Sequence, residues 1–361
     1  MAKKALIAMS GGVDSSVAAY LCRDAGYDCM GAIMRLYEGE SPDSGATPCV
    51  TSRDVEDARA VAGELGMEFH VFNSKADFEE KVISKFIRCY ECGLTPNPCI
   101  DCNRYLKFDH FLRQALALGC DYVVTGHYAR IRRSEETGRY LLYRAVDLSK
   151  DQSYVLSCLT QQQLCHTLLP LGERSKGEVR QIAEEQGFLN ARKKDSQDIC
   201  FVPDGDYVGF IRRHTGKDYP QGDFLDLNGN VVGRHRGAVS YTLGQRKGLG
   251  LAMGEPVYVC GKDMARNTVT VGPNEALFSR TLLANDWNWI PFPALTAPMA
   301  VTAKARYNQQ PQPATVYPCD DGFARVVFDQ PQRALTPGQT VVLYDGDLVV
   351  GGGTITEAIR D

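Results

Sequence analysis

The sequence predicts an α/β fold: a doubly wound parallel-sheet nucleotide-binding domain, then a small β-rich central domain and a C-terminal β-barrel. Three observations predict it. Apolar runs alternate with amphipathic helical stretches as far as residue 204. A glycine turn joins the first run directly to the first helix. Beyond residue 205, Gly, Pro and short alternating apolar runs replace the helical period. The expected domains span residues 1–204, 205–275 and 280–361, with Pro273 to Arg280 as a linker.

Taken in order, Ala5-Leu6-Ile7-Ala8 is a buried strand, and Val17-Ala18-Ala19-Tyr20-Leu21 begins a helix. Cys29 to Tyr37 is apolar enough for a second strand, before a polar Ser/Pro/Gly loop that runs through Pro48. From Asp54 to Leu65, Val55, Ala58, Val61, Ala62 and Leu65 fall near helical spacing, and Gly66 is the stop. Glu68 to Phe72 is a third strand, Phe78 to Cys89 and Lys107 to Leu118 are helical, and Asp121 to Gly126 is a fourth strand. In the central module Val231-Val232-Gly233, Val257-Tyr258-Val259 and Thr268 to Val271 read as strands. Val301 to Ala305, Ala314 to Tyr317, Ala324 to Phe328, Thr340 to Tyr344 and Val349-Val350 read as strands of the barrel.

A length of 361 residues calls for more than one core, and 44% hydrophobic with 23% charged residues matches ordinary globular chains. No apolar run approaches the ~18 residues of a membrane helix, and Met-Ala-Lys-Lys leads straight into a strand without a signal-peptide pattern. A cytoplasmic protein without membrane contact is expected. The net charge of −4 argues against nucleic-acid binding over the whole surface, but clusters such as Arg192-Lys193-Lys194 and Arg212-Arg213 leave RNA open. Thirteen cysteines in a long chain of this kind are read as reduced thiols, metal ligands or catalysts.

The turn Ser10-Gly11-Gly12-Val13-Asp14-Ser15-Ser16 between strand and helix is a phosphate cradle. Its glycines permit close backbone approach, its serines offer hydroxyls, and the unpaired amides of the helix start face the anion. It lacks the lysine of the common phosphate loop, which argues against transfer of a terminal phosphate. The string resembles the loop of ATP pyrophosphatases, enzymes that activate an oxygen as an adenylate and release pyrophosphate. Asp14 would then act through Mg2+ or through the loop amides. Ligands in doubly wound sheets sit beyond the carboxyl ends of the strands, where Ser10, Met34 and Gly126-His127 are expected.

Asn97-Pro98-Cys99-Ile100-Asp101-Cys102 places two cysteines three apart in a proline-stiffened loop expected to turn away from helix. Ser196-Gln197-Asp198-Ile199-Cys200-Phe201 offers a third. A thiolate is a strong nucleophile and a soft metal ligand, so thiols beside an adenylating loop point to sulfur transfer to an activated carbon. Cys89 and Cys92 with Cys99 and Cys102 also make C-x2-C-x6-C-x2-C, a spacing that fits tetrahedral zinc and competes for the same thiols. Cys22, Cys29, Cys120, Cys158, Cys165, Cys260 and Cys319 lie in apolar segments and read as core, while loop-borne Cys49 stays unassigned.

SGGVDSS, TPNPxxxCN, TGHYAR, KDQSYVL, SxDICF and SYTLGQRKGLG together resemble the tRNA-specific 2-thiouridylases across nearly the whole chain. The resemblance implies ATP-dependent 2-thiolation of the wobble uridine in tRNAs reading Lys, Glu and Gln codons. The uridine O2 would be adenylated, and AMP and pyrophosphate released. By motif, Ala8, Met9, Ser10, Gly11, Gly12, Val13, Asp14 and Ser15 would hold ATP, with Met34 and Gly126. Cys200 would carry the persulfide sulfur, and Cys102 would attack or resolve it, closing a Cys102–Cys200 disulfide. Asn97, Pro98 and Cys99 would line the flipped-out base. His127, Lys150, Asp151, Gln152, Arg306, Tyr307 and Gln339 match tRNA-contacting positions. The implied partners are tRNA and either a persulfide donor protein or a hydrosulfide source.

Many members of that family carry Asp where this chain has Cys99, and that carboxylate has been assigned a catalytic role. Asp101 lies two residues on, with its side chain expected to point elsewhere. Cys99, Cys102 and Cys200 would alternatively hold an iron–sulfur cluster whose open iron binds hydrosulfide. Two other readings remain open. One is an amidating synthetase of the same loop class, which would need neither Cys102 nor Cys200. The other is a noncatalytic RNA-binding protein with a structural zinc and a vestigial loop.

Overall fold

The computed structural model describes residues 2–37, 51–193 and 199–359. Cys49 and the Ser196 to Asp198 part of the SxDICF motif lie outside them. Strand β1 (Lys4–Ala8) is flanked on one side by β2 (Asp28–Arg35) and β3 (Phe69–Asn73). On its other side lie β4 (Tyr122–Val124) and the two-residue edge Thr167–Leu168, and every pairing is parallel. Ala5, Leu6 and Ile7 have no exposed surface because both faces of the sheet are covered, which is why they read as an unbroken apolar run.

Helices α1 (Val13–Asp24) and α2 (Ser52–Glu64) cover one face through Val17, Ala58 and Val61. The helical runs 75–91 and 98–117 cover the other through Phe78, Phe86, Leu106 and Phe111. Strand order reverses at β1, so a crevice opens between the carboxyl ends of β1 and β4. Ser10 and Gly126 both follow those ends.

Two expectations are corrected. The loop expected around Cys99 and Cys102 stops at Asn97, because Pro98 takes the first helical position, where a missing N–H costs nothing. Asn97 Oδ1 accepts from Cys99 N at 3.2 Å, so the proline starts the helix that carries both cysteines. Past residue 205 one helix persists, Tyr207–Thr215, held by buried Val208, Phe210 and Ile211. The expected linker Pro273 to Arg280 is itself ordered: Asn274–Leu277 makes one tight helical turn and a strand begins at Phe278, with Ala334 N donating to Leu277 O at 2.8 Å.

The central sheet consists of Gly222–Leu225, Val231–His235, Tyr258–Asp263 and Thr268–Gly272 around Phe224, Tyr241 and Val259. The terminal domain is a closed barrel. Its strands Phe278–Trp289, Ala324–Arg333, Gln312–Pro318, Met299–Lys304, Thr340–Asp345 and Leu348–Ile359 pair in that order, and the last pairs back to the first. The hairpin Ala129–Arg133 and Tyr140–Arg144 extends the barrel sheet through Leu348 and Tyr143. One apolar cluster joins Ile100 and Phe108 of the cysteine-bearing helix to Val342 and Tyr344 of the barrel. The barrel therefore packs directly on that helix.

Candidate active site

The glycine turn has the expected shape and a physical reason for each glycine. Gly11 has φ +69, and a Cβ there would lie 2.6 Å from Asp54 O, so a side chain fits neither the dihedral nor the space. Gly12 precedes α1 and no side chain caps the helix, which leaves the first-turn amides free for an anion. Gly126 serves the same end from β4: a Cβ would sit 2.8 Å from Asp14 C and Ser15 N. Met34 and Met9 are packed in the core beside the crevice.

The serines do less than the sequence promised. Ser10 is exposed, whereas Ser15 and Ser16 turn inward and donate to Gly12 O at 3.0 and 3.2 Å. They shape the loop more than they offer hydroxyls to a ligand.

Four residues that sequence reasoning missed hold this loop from behind. Lys176 Nζ donates to both carboxylate oxygens of Asp14 at 2.8 Å, and Tyr128 Oη donates to one of them at 2.8 Å. Asp14 is thereby committed to a lysine, and its donor set does not fit the Mg2+ role expected for it. Lys193 Nζ donates to Gly11 O at 3.0 Å, Asp54 at 2.7 Å and Asp57 at 2.8 Å. Asn190 Nδ2 donates to Gly11 O at 3.1 Å and Ser16 Oγ at 2.9 Å. The one sequence signal for this pair was the basic cluster Arg192-Lys193-Lys194, which looked like a solvated face.

The cysteines divide by exposure. Cys99 is exposed and Cys102 buried, and both are free thiols. Burial pushes Cys102 up to about 11, while the Lys107 ammonium pulls the other way. Residues Cys102–His110 form a π-helical stretch, whose i to i+5 bonding brings residues five apart, such as 102 and 107, to one face. Crowding by protein raises the Cys99 thiol too, again opposed by Lys107. Burial, and then Lys107, hold His127 well below the usual imidazole range, so it is neutral at pH 7. Its Nδ1 lies 2.8 Å from Thr125 Oγ1, and its ring is 5.7 Å from Phe108 on the cysteine-bearing helix.

Asp101 does point elsewhere: it accepts from Lys85 at 2.7 Å and is buried. It offers no substitute for the missing acid at position 99. Cys200 is exposed, next to buried Phe201, and is held in a disulfide whose partner is neither Cys99 nor Cys102. Among the described residues no three His, Cys, Asp or Glu side chains are gathered as a metal site. The donor sets expected for zinc and for an iron–sulfur cluster are therefore not assembled in this conformation.

Of the positions expected to contact RNA, Gln339 reaches the turn before Asn97 and Cys99, while Tyr307, Gln152 and Arg306 bond to other parts of the chain. Gln339 Nε2 donates to Thr95 O at 2.8 Å and Pro96 O at 3.3 Å. Tyr307 Oη reaches Asp151 O at 3.5 Å, and its ring stands edge-on to Tyr154. Gln152, two residues after Lys150, accepts at Oε1 from Tyr128 N at 2.9 Å. Arg306 reaches Leu243 O of the central domain at 3.3 Å and Thr336 Oγ1 at 2.7 Å. His127 and Asp151 are buried, so neither side chain is itself open to RNA. No described helix is long and apolar enough to cross a membrane.

Residues 3–204 match the family model described as a tRNA methyl transferase HUP domain. Residues 208–273 match a tRNA methyl transferase PRC-barrel domain, and 279–355 an aminomethyltransferase beta-barrel domain. The chain is 49% identical over 359 residues to the tRNA-specific 2-thiouridylase MnmA of Clostridioides difficile, covering 99% of each. It is 51% identical over 351 residues to the protein of that name from Moorella thermoacetica, covering 97% of this chain and 98% of that one. The Clostridium acetobutylicum protein is 50% identical over 360 residues, 98% of this chain and all of the relative.

Proposed function

The chain belongs to the tRNA-specific 2-thiouridylase family, and from that premise we propose that it activates the wobble uridine of tRNAs reading Lys, Glu and Gln codons and replaces its O2 with sulfur. As a member of that family it is a tRNA sulfurtransferase with an ATP pyrophosphatase-type domain. One observation carries the finer reading. The segment Gly126–Tyr128 touches both halves of the site: Gly126 abuts the start of α1, Tyr128 binds Asp14, and His127 lies against Phe108 of the cysteine-bearing helix.

In this reading the free amides of the Gly11–Ser15 turn bind the phosphates of ATP, and the uridine O2 attacks the α-phosphorus. An O2-adenylate forms and pyrophosphate leaves. The terminal sulfur of a Cys200 persulfide then attacks C2, the C2–O bond breaks, and AMP departs. Cys102 attacks the Cys200 sulfur, releasing thiouridine and leaving a Cys102–Cys200 disulfide that an external thiol reduces. The present Cys200 disulfide must be open first. Asn97, Pro98 and Cys99 line the flipped base, while Tyr307, Gln339, Gln152, Lys150 and Arg306 steady the RNA around it. The sulfur comes from a persulfide donor protein or a hydrosulfide source, and the reaction takes place in the cytoplasm.

Mass spectrometry of wobble uridine in tRNA from cells lacking the protein tests the proposal. The 2-thio group should vanish and return with the wild-type chain, but not with Cys102→Ser or Cys200→Ser. Full rescue by both variants would end the persulfide route, and a 2-thio group that persists in cells lacking the protein would favour an amidating reaction, which needs neither thiol.

A further inference from the structure

A trans peptide points its C=O and N–H in opposite directions, so fixing one fixes the other. The peptide between Gly11 and Gly12 has glycine on both sides, the combination least able to resist rotation. A rotated peptide would present its carbonyl oxygen to an anionic ligand in place of its N–H.

Two side chains grip that carbonyl from inside the fold. Lys193 Nζ and Asn190 Nδ2 both donate to Gly11 O, at 3.0 and 3.1 Å. On the other side, Gly12 N donates a long hydrogen bond of 3.4 Å to Ser10 Oγ on the exposed surface of the loop, a partner that a bound phosphate would replace. Both gripping residues are themselves anchored. They sit in one turn, with Lys193 N donating to Asn190 O at 2.9 Å, and Phe188 and Ala191 fasten that turn in the core behind α1. Asp54 and Asp57 of α2 hold the ammonium, and Asp54 is itself the third residue of a capping box with Thr51.

We propose that Lys193, assisted by Asn190, is a positioning residue that locks the Gly11–Gly12 peptide with its N–H toward a bound nucleotide phosphate. The inference rests on the reading of this loop as the ATP site. Position, not charge, is the operative effect. One lysine between two aspartates carries net negative charge, so the group as a whole does not attract a phosphate. Lys176 and Asp14 likewise cancel on the other flank of the turn.

The test uses the full-length reduced protein and α,β-methylene-ATP, followed by calorimetric titration, with KM for ATP and for tRNA measured separately. Lys193→Met should weaken analogue binding and raise KM for ATP about tenfold or more, as when a bound group loses its alignment. KM for tRNA should stay put. Lys193→Arg, which keeps a donor to Gly11 O, should restore most of the affinity. Asp57→Asn, which leaves the Gly11 contact in place, should change affinity less than about threefold, within the range of a peripheral ion pair. Unchanged analogue affinity in a folded Lys193→Met would overturn the proposal, as would a Lys193→Arg as weak as Lys193→Met. An Asp57→Asn that binds fivefold tighter would also overturn it by showing that charge dominates. Where Lys193→Met melts early, Lys193→Gln, a donor of shorter reach, is read by the same criteria. Analogue binding needs no tRNA, so failure of the thiolation reading leaves this measurement interpretable.

Discussion

Lys176 lies 162 residues downstream of Asp14 and closes on both of its carboxylate oxygens at 2.8 Å. The lysine that a common phosphate loop aims at the ligand is thus replaced by one aimed at the loop's own acid. Without it, a carboxylate in the first turn of α1 would stand beside the proposed phosphate site with one neutral partner, Tyr128. Lys176→Met should cost between about 1 kcal/mol, as for an exposed pair, and about 3 kcal/mol, as for a buried one. The Lys176→Met, Asp14→Asn double variant should recover part of this, and thermal melts with and without an ATP analogue read both quantities. A fully additive cycle would show that the pair is not coupled.

Gly126→Ala places a methyl 2.8 Å from backbone atoms of Asp14 and Ser15, which cannot rotate aside. A loss of about 1–3 kcal/mol is expected, together with ATP affinity. Gly63→Ala, late in α2 with nothing near its added carbon, is the control and should be neutral or stabilise by up to about 1 kcal/mol. Equal melting temperatures for the two variants would refute the steric account.

The Cys102 thiol, pushed up to about 11 by burial, is protonated at pH 7. Only the thiolate reacts, so its alkylation rate in the resting enzyme should climb about tenfold per pH unit from 7 to 9 without a plateau. Lys107 lowers the cost of that thiolate. Lys107→Met should therefore move the profile further to alkaline pH, slowing reaction at every pH below the plateau. A plateau near pH 8 in the wild type would contradict the burial argument.

Gln339 ties the barrel to the turn before Cys99 through Thr95 O and Pro96 O. Gln339→Ala removes about 1 kcal/mol of hydrogen bonding and should loosen that turn. Thiolation of tRNA should slow several-fold while ATP-analogue affinity stays unchanged, as steady-state kinetics and titration will show. A parallel loss of analogue affinity would place Gln339 in the nucleotide half of the site instead.

Much of this molecule was legible in sequence because the information was local. The apolar run Ala5-Leu6-Ile7, the Gly11-Gly12 turn and the periodic Val55, Ala58, Val61 each specify their own structure within a dozen residues, and so determine a parallel sheet with a glycine turn at the end of its first strand. The two cysteines three apart were equally readable. The start of their helix was misjudged, because Pro98 breaks a helix interior but opens a first turn, and only Asn97 as its cap shows which applies.

What the tertiary structure alone decided is everything that pairs distant residues. Asp14 read as acting through Mg2+ or through the loop amides until Lys176 and Tyr128 arrived beside it. Lys193 looked like a solvated charge until the fold placed it against Gly11. Thr95 and Gln339, two domains apart in sequence, meet only because the barrel closes and packs on the cysteine-bearing helix. Periodicity and turn chemistry act over a few residues, whereas charge compensation and burial depend on which distant groups end up within about 4 Å, and only folding decides that.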